Sequence, residues 1–437
     1  MRALLTALSL LFLIGDVAAA QEPGARIRID PASLPWPGAT PSASNPAHQA
    51  PVPAGAPLRV LAGFFANRFA DGFEHARWLA VAPNGDVFLA ETDAGKITVL
   101  RDADGDGVAE RREIFASGFA EPHGMAFHEG FLYVADTEAV WRLPWRAGDL
   151  KAAGPRERVT PPGALGTDKG HSSRTLALRP DGSRFYVGIG SSGNLLEDPA
   201  PRATVQEFRI DGSGGRSFAT GLRNPVGLAF RPGTDELWTV VNERDGMGEE
   251  LVPDYLARLQ EGGFYGWPYA YLGPNPQPKF AERRPDLVSQ TLSPDLLFRS
   301  HSAPLGLVFY DGEAFPPDWS GDAFVALHGS WNAAEPRGYF VARVPFEAGR
   351  PADHYEVFAS GFLLGVAKHS AVGDAWDVLA SGFSERALRN LKYSWSLGDR
   401  RPARVWGRPA GLAVAKDGSL LIADDLAQVV WRVSYRR

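Results

Sequence analysis

A short grammar recurs through most of this 437-residue chain: a small-apolar strand, a turn carrying Asp-Gly or Asn-Gly, then a second apolar strand. It reads RWLAVAPNGDVFLAETDAGKITVL from Arg77, HGMAFHEGFLYVADTEAVWRL from His123 and RTLALRPDGSRFYVGIG from Arg174. It returns as VGLAFRPGTDELWTVVNE from Val226, LGLVFYDGEAFPPDWSGDAFVALHG from Leu305 and AGLAVAKDGSLLIADDLAQVVWRV from Ala410. Apolar positions alternate with period two, which is the strand signature, and the turns hold the glycine that a hairpin with positive φ needs. A second piece, ASGF or ATGL, ends units at residues 116–119, 219–222, 359–362 and 380–383.

An isolated hairpin cannot bury two faces, so units of this size must stack on one another. Radial stacking around a channel satisfies them all, and six instances predict an all-β, six-bladed β-propeller over residues 58–437. The 48 Gly, 35 Pro and 12 Trp agree with many tight turns and many aromatic anchors. A β-sandwich with weak internal similarity is the competing arrangement. The stretch LRVLAGF at residues 58–64 is expected to join the last blade and close the ring. Loop insertions fall near residues 261–301 and 363–404. Long loops on a rigid scaffold commonly carry binding or gating.

The first 20 residues, MRALLTALSLLFLIGDVAAA, join one Arg to an apolar run and a small-x-small cleavage pattern. That is a secretory signal, too short for a membrane span, so the expected compartment is the periplasm or the exterior with no transmembrane anchor. Residues 21–57 are rich in Pro, Ala and Ser and read as a flexible leader. The absence of cysteine excludes disulfides, thiolate metal sites, cysteine nucleophiles and thioether haem. A net charge of −6 gives no cationic footprint for nucleic acid.

In a propeller the inner strands begin around the channel mouth. The residues just before these strands are polar here: His123, His171, Arg223, Asn224, His301 and Arg408. Converging from separate blades, they form a candidate pocket of bases and anion-binding groups. Each also has a plainer reading. A histidine at a strand start is often only a hydrogen-bonded structural residue, and Arg-Asn-Pro at 223–225 can be a capping turn.

Two segments suit a hard cation. VNERDGMGEELVPDYL at 241–256 clusters acidic side chains with glycine, as a calcium loop or simply as a solvated acidic loop. Asp102, Asp104, Asp106 and Glu113 match a twelve-residue calcium-loop pattern without its flanking helices; a plain hairpin turn is the alternative. GxGxxG and Walker patterns are absent where a strand would lead into a helix, and HExxH and GxSxG do not occur.

At GHSSRTLALRPDG from Gly170, GLRNPVGLAF from Gly221, VNERDG, GGFYGWPY, FRSHSAPLG and VALHGSWN, the chain resembles the soluble PQQ-dependent sugar dehydrogenases. The L-sorbosone and pyranose dehydrogenase group is the most similar, and the resemblance runs from about residue 58 to the end. It implies a six-bladed propeller holding pyrroloquinoline quinone (PQQ) above its channel, with a bridging calcium ion. His171 matches the general base, Arg223 the group beside the quinone carbonyl and Asn224 its neighbour on the cofactor. Backbone carbonyls of Arg244, Asp245 and Gly246 match the segment that holds the cofactor calcium. His301, His328 and Trp331 match motifs at the cofactor face, with His123 and Arg408 expected around the same ring. The insertion at 363–404 departs from the family pattern, so substrate specificity does not transfer.

The expected activity is therefore oxidation of a sugar or sugar aldehyde, with hydride passing to the quinone and a histidine taking the hydroxyl proton. No haem motif is present, so electrons must leave to a partner that the sequence does not identify. The competing functions are a non-catalytic glycan- or protein-binding propeller and a metal-dependent lactonase. The last needs carboxylates and Asn at the channel as direct metal ligands.

Overall fold

The computed structural model describes residues 21–53, 58–366 and 402–436. The expected signal segment and most of the 363–404 insertion lie outside the described residues. Among the described residues there is one short α-helix, Pro285–Gln290, and six sheets of four or more strands, antiparallel but for one edge strand.

Each sheet grows from one copy of the repeat. Sheet 1 runs Ala76–Val81, Val87–Glu91, Lys96–Arg101 and Arg111–Ser117. Sheet 2 begins at Met125–His128, sheet 3 at Arg174–Leu178, sheet 4 at Pro225–Phe230, sheet 5 at Pro304–Phe309 and sheet 6 at Pro409–Val414. These first strands touch in succession, and that of sheet 6 returns to that of sheet 1.

Successive side chains on a strand point to opposite faces, so a strand buried on both sides is apolar throughout. The second strand of sheet 6, Leu420–Asp424, is buried along its whole length. Its Leu420 and Ile422 enter the core shared with sheet 5, while Leu421 and Ala423 enter the core shared with sheet 1. Val87 and Leu89 face sheet 6 while Phe88 and Ala90 face sheet 2. Each adjacent pair of sheets thus encloses its own apolar layer.

The glycine of the GLAF-like piece has a packing reason. A Cβ on Gly306 would lie 2.4 Å from the carbonyl oxygen of Ala410 on the next first strand, and one on Gly411 would lie 2.7 Å from that of Arg77. Only glycine lets neighbouring inner strands approach this closely.

Two sequence expectations need correction. The strand that completes sheet 6 is Phe64–Asp71, paired with the C-terminal strand Val429–Tyr435, whereas Arg59–Val60 pairs with the edge of sheet 5. The Phe64–Asp71 strand covers all of Val429–Tyr435, with buried Phe64 and Phe69 facing the core. The leader is also docked rather than flexible. Arg26–Ile27 pairs with Tyr355–Ser360, and His48–Gln49 lies parallel to Ala403–Val405. Its prolines and small residues remove competing structure, while its few free N–H and C=O groups find sheet edges.

The insertions build edges. Leu296–Leu297 is the outer strand of sheet 4, and Gly263–Phe264 adds a parallel fifth strand to sheet 3. Leu363–Val366 and Ala403–Val405 pair antiparallel at the base of the 363–404 insertion.

Candidate active site

The segments before the first strands converge on a cavity of about 470 Å³. Of the expected residues, His171, Arg223, Asn224, Asp245, His301, His328, Trp331 and Arg408 line it. They come from sheets 3, 4, 5 and 6, so only ring closure brings them together.

His171 is fixed by its neighbours. A carbonyl can only accept, so the 2.8 Å contact from Nδ1 to the Ser191 carbonyl places the ring proton on Nδ1 and leaves the Nε2 lone pair available. Burial, reinforced by the Arg223 charge, pulls this imidazole down to about 4, so it is neutral at physiological pH. Arg174 and Arg202 each donate to the His171 carbonyl, at 3.0 and 2.9 Å, and lock the backbone.

Arg223 and Asn224 precede the first strand of sheet 4. Arg223 donates to the carbonyls of Glu243 at 2.8 Å and Asn242 at 3.2 Å, and pairs with Asp245 at 3.4 Å. Asn224 is 8% exposed, and its Oδ1 has no hydrogen-bond partner. A buried, unpaired amide oxygen beside a cavity marks a place where a ligand group completes the bonding. A Cβ on Gly190 would come within 2.4 Å of that oxygen and 2.7 Å of the His171 Cβ, so glycine clears the space between the two side chains.

Other expectations resolve differently. His123 does not line the cavity. It is 2% exposed, its ring lies 4.4 Å from Trp78, and Nδ1 is 3.3 Å from Thr175 Oγ1. Burial holds it well below the usual histidine range. Its ring is packed against the Trp78 side chain of the neighbouring sheet. His301 reaches the cavity wall with both ring nitrogens engaged, Nε2 with the Gly248 carbonyl at 3.1 Å and Nδ1 with Asn332 Nδ2 at 3.0 Å. It is a spacer between two loops.

The carbonyl expected to hold calcium at Asp245 is already taken. It accepts from Arg244 Nε at 2.9 Å and Nη2 at 2.6 Å, and from Asn194 Nδ2 at 3.0 Å. Neither Arg244 nor Gly246 lines the cavity. Glu243 and Asp254 do line it and were not singled out from the sequence. Burial drives both carboxyls up to about 7, opposed by backbone N–H donors that include Arg244 to Glu243 and Glu243 to Asp254. Both Asp254 oxygens accept from backbone, Oδ1 from Glu243 N–H at 2.9 Å and Oδ2 from Ala303 N–H at 2.8 Å, while Glu243 accepts from Arg244 N–H at 3.0 Å.

A third feature is a joint across sheets 5, 6 and 1. His328 Nε2 lies 2.9 Å from Asp425 Oδ1, and Arg77 binds the other oxygen of Asp425. Arg408 donates to the His328 carbonyl at 3.0 Å. Arg77 is the second residue of the inner strand Ala76–Val81, so the rule that looks to residues before the inner strands passes over it. Asp425 follows the second strand of its sheet and is passed over as well.

The Asp102 loop is remote from this cavity. Asp102, Asp104, Asp106 and Glu110 offer ligand atoms all within 4.8 Å of one another. Glu113 is not among them: it sits within Arg111–Ser117 opposite Val99, exposed to solvent. The hairpin straightens after residue 110, so the last position of the helical calcium loop is carried away along the strand.

Among the described residues, no helix is long and apolar enough to cross a membrane.

The TrAA12-like family matches residues 58–254 and 282–361, well over half of the chain. An uncharacterised protein of Borreliella burgdorferi is 27% identical over 270 residues, 61% of this chain and 61% of that protein. The pyrroloquinoline quinone-dependent pyranose dehydrogenase of Coprinopsis cinerea is 23% identical over 336 residues, 66% of this chain and 45% of that enzyme. The chain thus spans less than two thirds of the length of either relative. Among solved structures, the Trichoderma reesei AA12 enzyme superposes with a TM-score of 0.65 at 18% identity, covering 87% of this chain and 98% of that one. The PQQ domain of Coprinopsis cinerea pyranose dehydrogenase gives 0.64 at 17%, covering 88% and 98%. These likenesses show a common fold, and with the extent of the family match the conclusion is that this chain belongs to the TrAA12-like family.

Proposed function

We propose that this chain is a PQQ- and calcium-dependent dehydrogenase of a sugar or sugar aldehyde, built as a six-bladed β-propeller and working outside the cytoplasm. The observation that carries the reading is His171, a neutral imidazole with its Nε2 lone pair free, in the same cavity as Arg223 and the unpaired Asn224 amide.

A bound quinone would supply the two-electron acceptor that takes hydride from the carbon bearing the hydroxyl. His171 Nε2 takes the proton of that hydroxyl, since hydride leaves readily only as the oxygen is deprotonated. Arg223 puts a fixed positive charge where negative charge develops, and it is preorganised by the Glu243 and Asn242 carbonyls. Asn224 offers its free amide to the ring of the acceptor. Arg408 and Arg77 add cationic edges suited to carboxylates. Of the groups at the cavity, the Glu243 carboxylate would contribute to holding the calcium ion, because the Asp245 carbonyl is spent on Arg244 and Asn194 and both Asp254 oxygens on backbone N–H donors. The electron acceptor that reoxidises the cofactor remains unassigned.

The test is reconstitution of the purified protein with PQQ and calcium, followed by sugar-dependent reduction of an artificial dye. No quinone binding, together with no turnover of any aldose, aldehyde or polyol, sinks the reading.

One observation favours a second reading. Asn224, Asn242, Glu243 and Asp254 stand at the cavity, the residue types a metal-dependent lactonase uses as direct ligands. Lactone hydrolysis that needs a divalent cation but no quinone would establish it. The three guanidiniums in the same cavity weigh towards an anionic cofactor.

A further inference from the structure

Residues 21–53 lie outside the span matched by the TrAA12-like family, yet they bind two loops of the cavity wall. On the 245–250 loop, Gly38 N–H donates to the Met247 carbonyl at 2.8 Å. Ser42 Oγ accepts from Gly248 N–H at 3.1 Å, and Thr40 Oγ1 from Glu249 N–H at 2.8 Å. On the other loop, Asn45 N–H donates to the Trp331 carbonyl at 2.6 Å, and Asn45 Nδ2 donates to the carbonyls of Ala333 and Ala334, each at 3.0 Å.

The two loops also hold each other. Ala334 N–H donates to Glu249 at 2.8 Å, and Asn332 Nδ2 donates to Asp245 Oδ1 at 2.6 Å. Asp245 in turn pairs with Arg223. The leader therefore closes a frame whose inner side carries Trp331, Asn332, Asp245 and Arg223. Trp331 is 52% exposed, so its own packing does little to fix it, while Asn45 is 2% exposed and fully enclosed.

We propose that Asn45 is a positioning residue for the cavity: by holding the carbonyls of Trp331, Ala333 and Ala334 from outside, it sets the placement of Trp331 and Asn332 and so the fit of a small polar ligand. Without its amide, the Ala333 carbonyl, which belongs to a fully buried residue, loses its donor, and the loop must move to find another. For its kinetic readout the proposal rests on the oxidation reading above; its fluorescence readout stands alone.

The experiment uses the full chain and its Asn45→Ala, Asn45→Gln and Thr40→Val/Ser42→Ala variants, each with and without Trp331→Phe, so that the Trp331 signal is obtained by difference. Acrylamide quenching of Trp331 is expected to rise about twofold in Asn45→Ala, as a half-shielded ring becomes open, and to return part-way in Asn45→Gln, which keeps an amide donor. Thr40→Val/Ser42→Ala shifts it in the same direction by less and serves where Asn45→Ala fails to fold. With PQQ, calcium and sugar, KM rises about tenfold in Asn45→Ala while kcat stays within about threefold. Quenching equal to wild type in the variants that fold overturns the proposal, as does a fall in kcat with unchanged KM. A wild-type protein that binds no quinone and turns over nothing defeats the oxidation reading, and the quenching comparison then decides the role of Asn45 by itself.

Discussion

His171 and Arg223 meet on one residue: the Ser191 carbonyl accepts from His171 Nδ1–H at 2.8 Å, and the Ser191 N–H donates to the Arg223 carbonyl at 2.7 Å. The imidazole and the guanidinium are thus set on one short piece of backbone, and both line the same cavity. This linkage fixes the expected pH profile. A base must be neutral to act, and burial with the Arg223 charge takes His171 from 6.5 down to about 4. The folded site therefore binds no proton in the window between those values, where a free imidazole would. kcat/KM is expected to stay level from neutral pH down to about 5 and to halve near 4. Arg223→Met removes a positive neighbour, so the imidazolium is less disfavoured and the acid limb moves to higher pH. An acid limb at 6.5 in the wild type would show that another group is the base.

Removing the ring tests the chemical step more directly. His171→Ala should retain quinone binding, because Arg223, Asn224 and Arg408 are untouched, while turnover falls by about 10²–10⁴. Cofactor absorbance titration measures the first, and stopped-flow dye reduction the second. Wild-type turnover in this variant rejects the assignment.

Gly190 carries a steric prediction. The methyl of Gly190→Ala would press on Asn224 Oδ1 and the His171 Cβ at 2.4 and 2.7 Å, closer than real Cβ contacts. Both side chains must shift, and a displacement of this order in a reacting pair costs roughly 10²-fold in kcat/KM. The sheet around it should hold, so circular dichroism and the urea midpoint are expected to change far less than the rate. Equal activity would mean that the space beside Gly190 is not part of the site.

The strand grammar made much of this arrangement readable. Alternating residues such as Leu420 to Ala423 feed two cores at once, a periodicity that survives in the sequence because both faces are buried. The polar residues before the inner strands were legible for the same reason: His171, Arg223, Asn224, His301 and Arg408 all fall within the three residues that precede the first strand of a sheet. His123 holds that position too, yet a neighbouring Trp78 ring fills the space in front of it, and no local pattern encodes that neighbour. Glu243 and Asp254 were obscured by a run of acidic residues, among which only burial distinguishes them. The leader's sheet-edge pairings involve two-residue segments with no periodic signature, and Asn45 bonds to residues almost 290 positions away.

Asp425 supplies a prediction about stability rather than rate. Its side chain is 5% exposed and serves Arg77 from sheet 1 and His328 from sheet 5. Burial works against its charge, but the His328 ring and the Arg77 guanidinium outweigh this and hold the carboxyl below its ordinary range. Burial and Arg408 pull His328 down to about 4 against the attraction of Asp425, so a neutral ring donates Nε2–H to a carboxylate. Asp425→Ala leaves a guanidinium enclosed without its partner, and a loss of about 3–5 kcal/mol is expected. Asp425→Asn, which keeps an acceptor but no charge, should lose less. The sign with pH follows from the depressed carboxyl: its contribution is complete above the usual carboxylate value of 3.8 and is lost only as pH falls below it. Urea midpoints of wild type and Asp425→Asn should therefore differ by the same amount at pH 5 and pH 7, and converge in stronger acid. A difference that grows from pH 7 to pH 5 would mean that the folded carboxyl takes up a proton above its ordinary range and that Arg77 has no fully charged partner at pH 5.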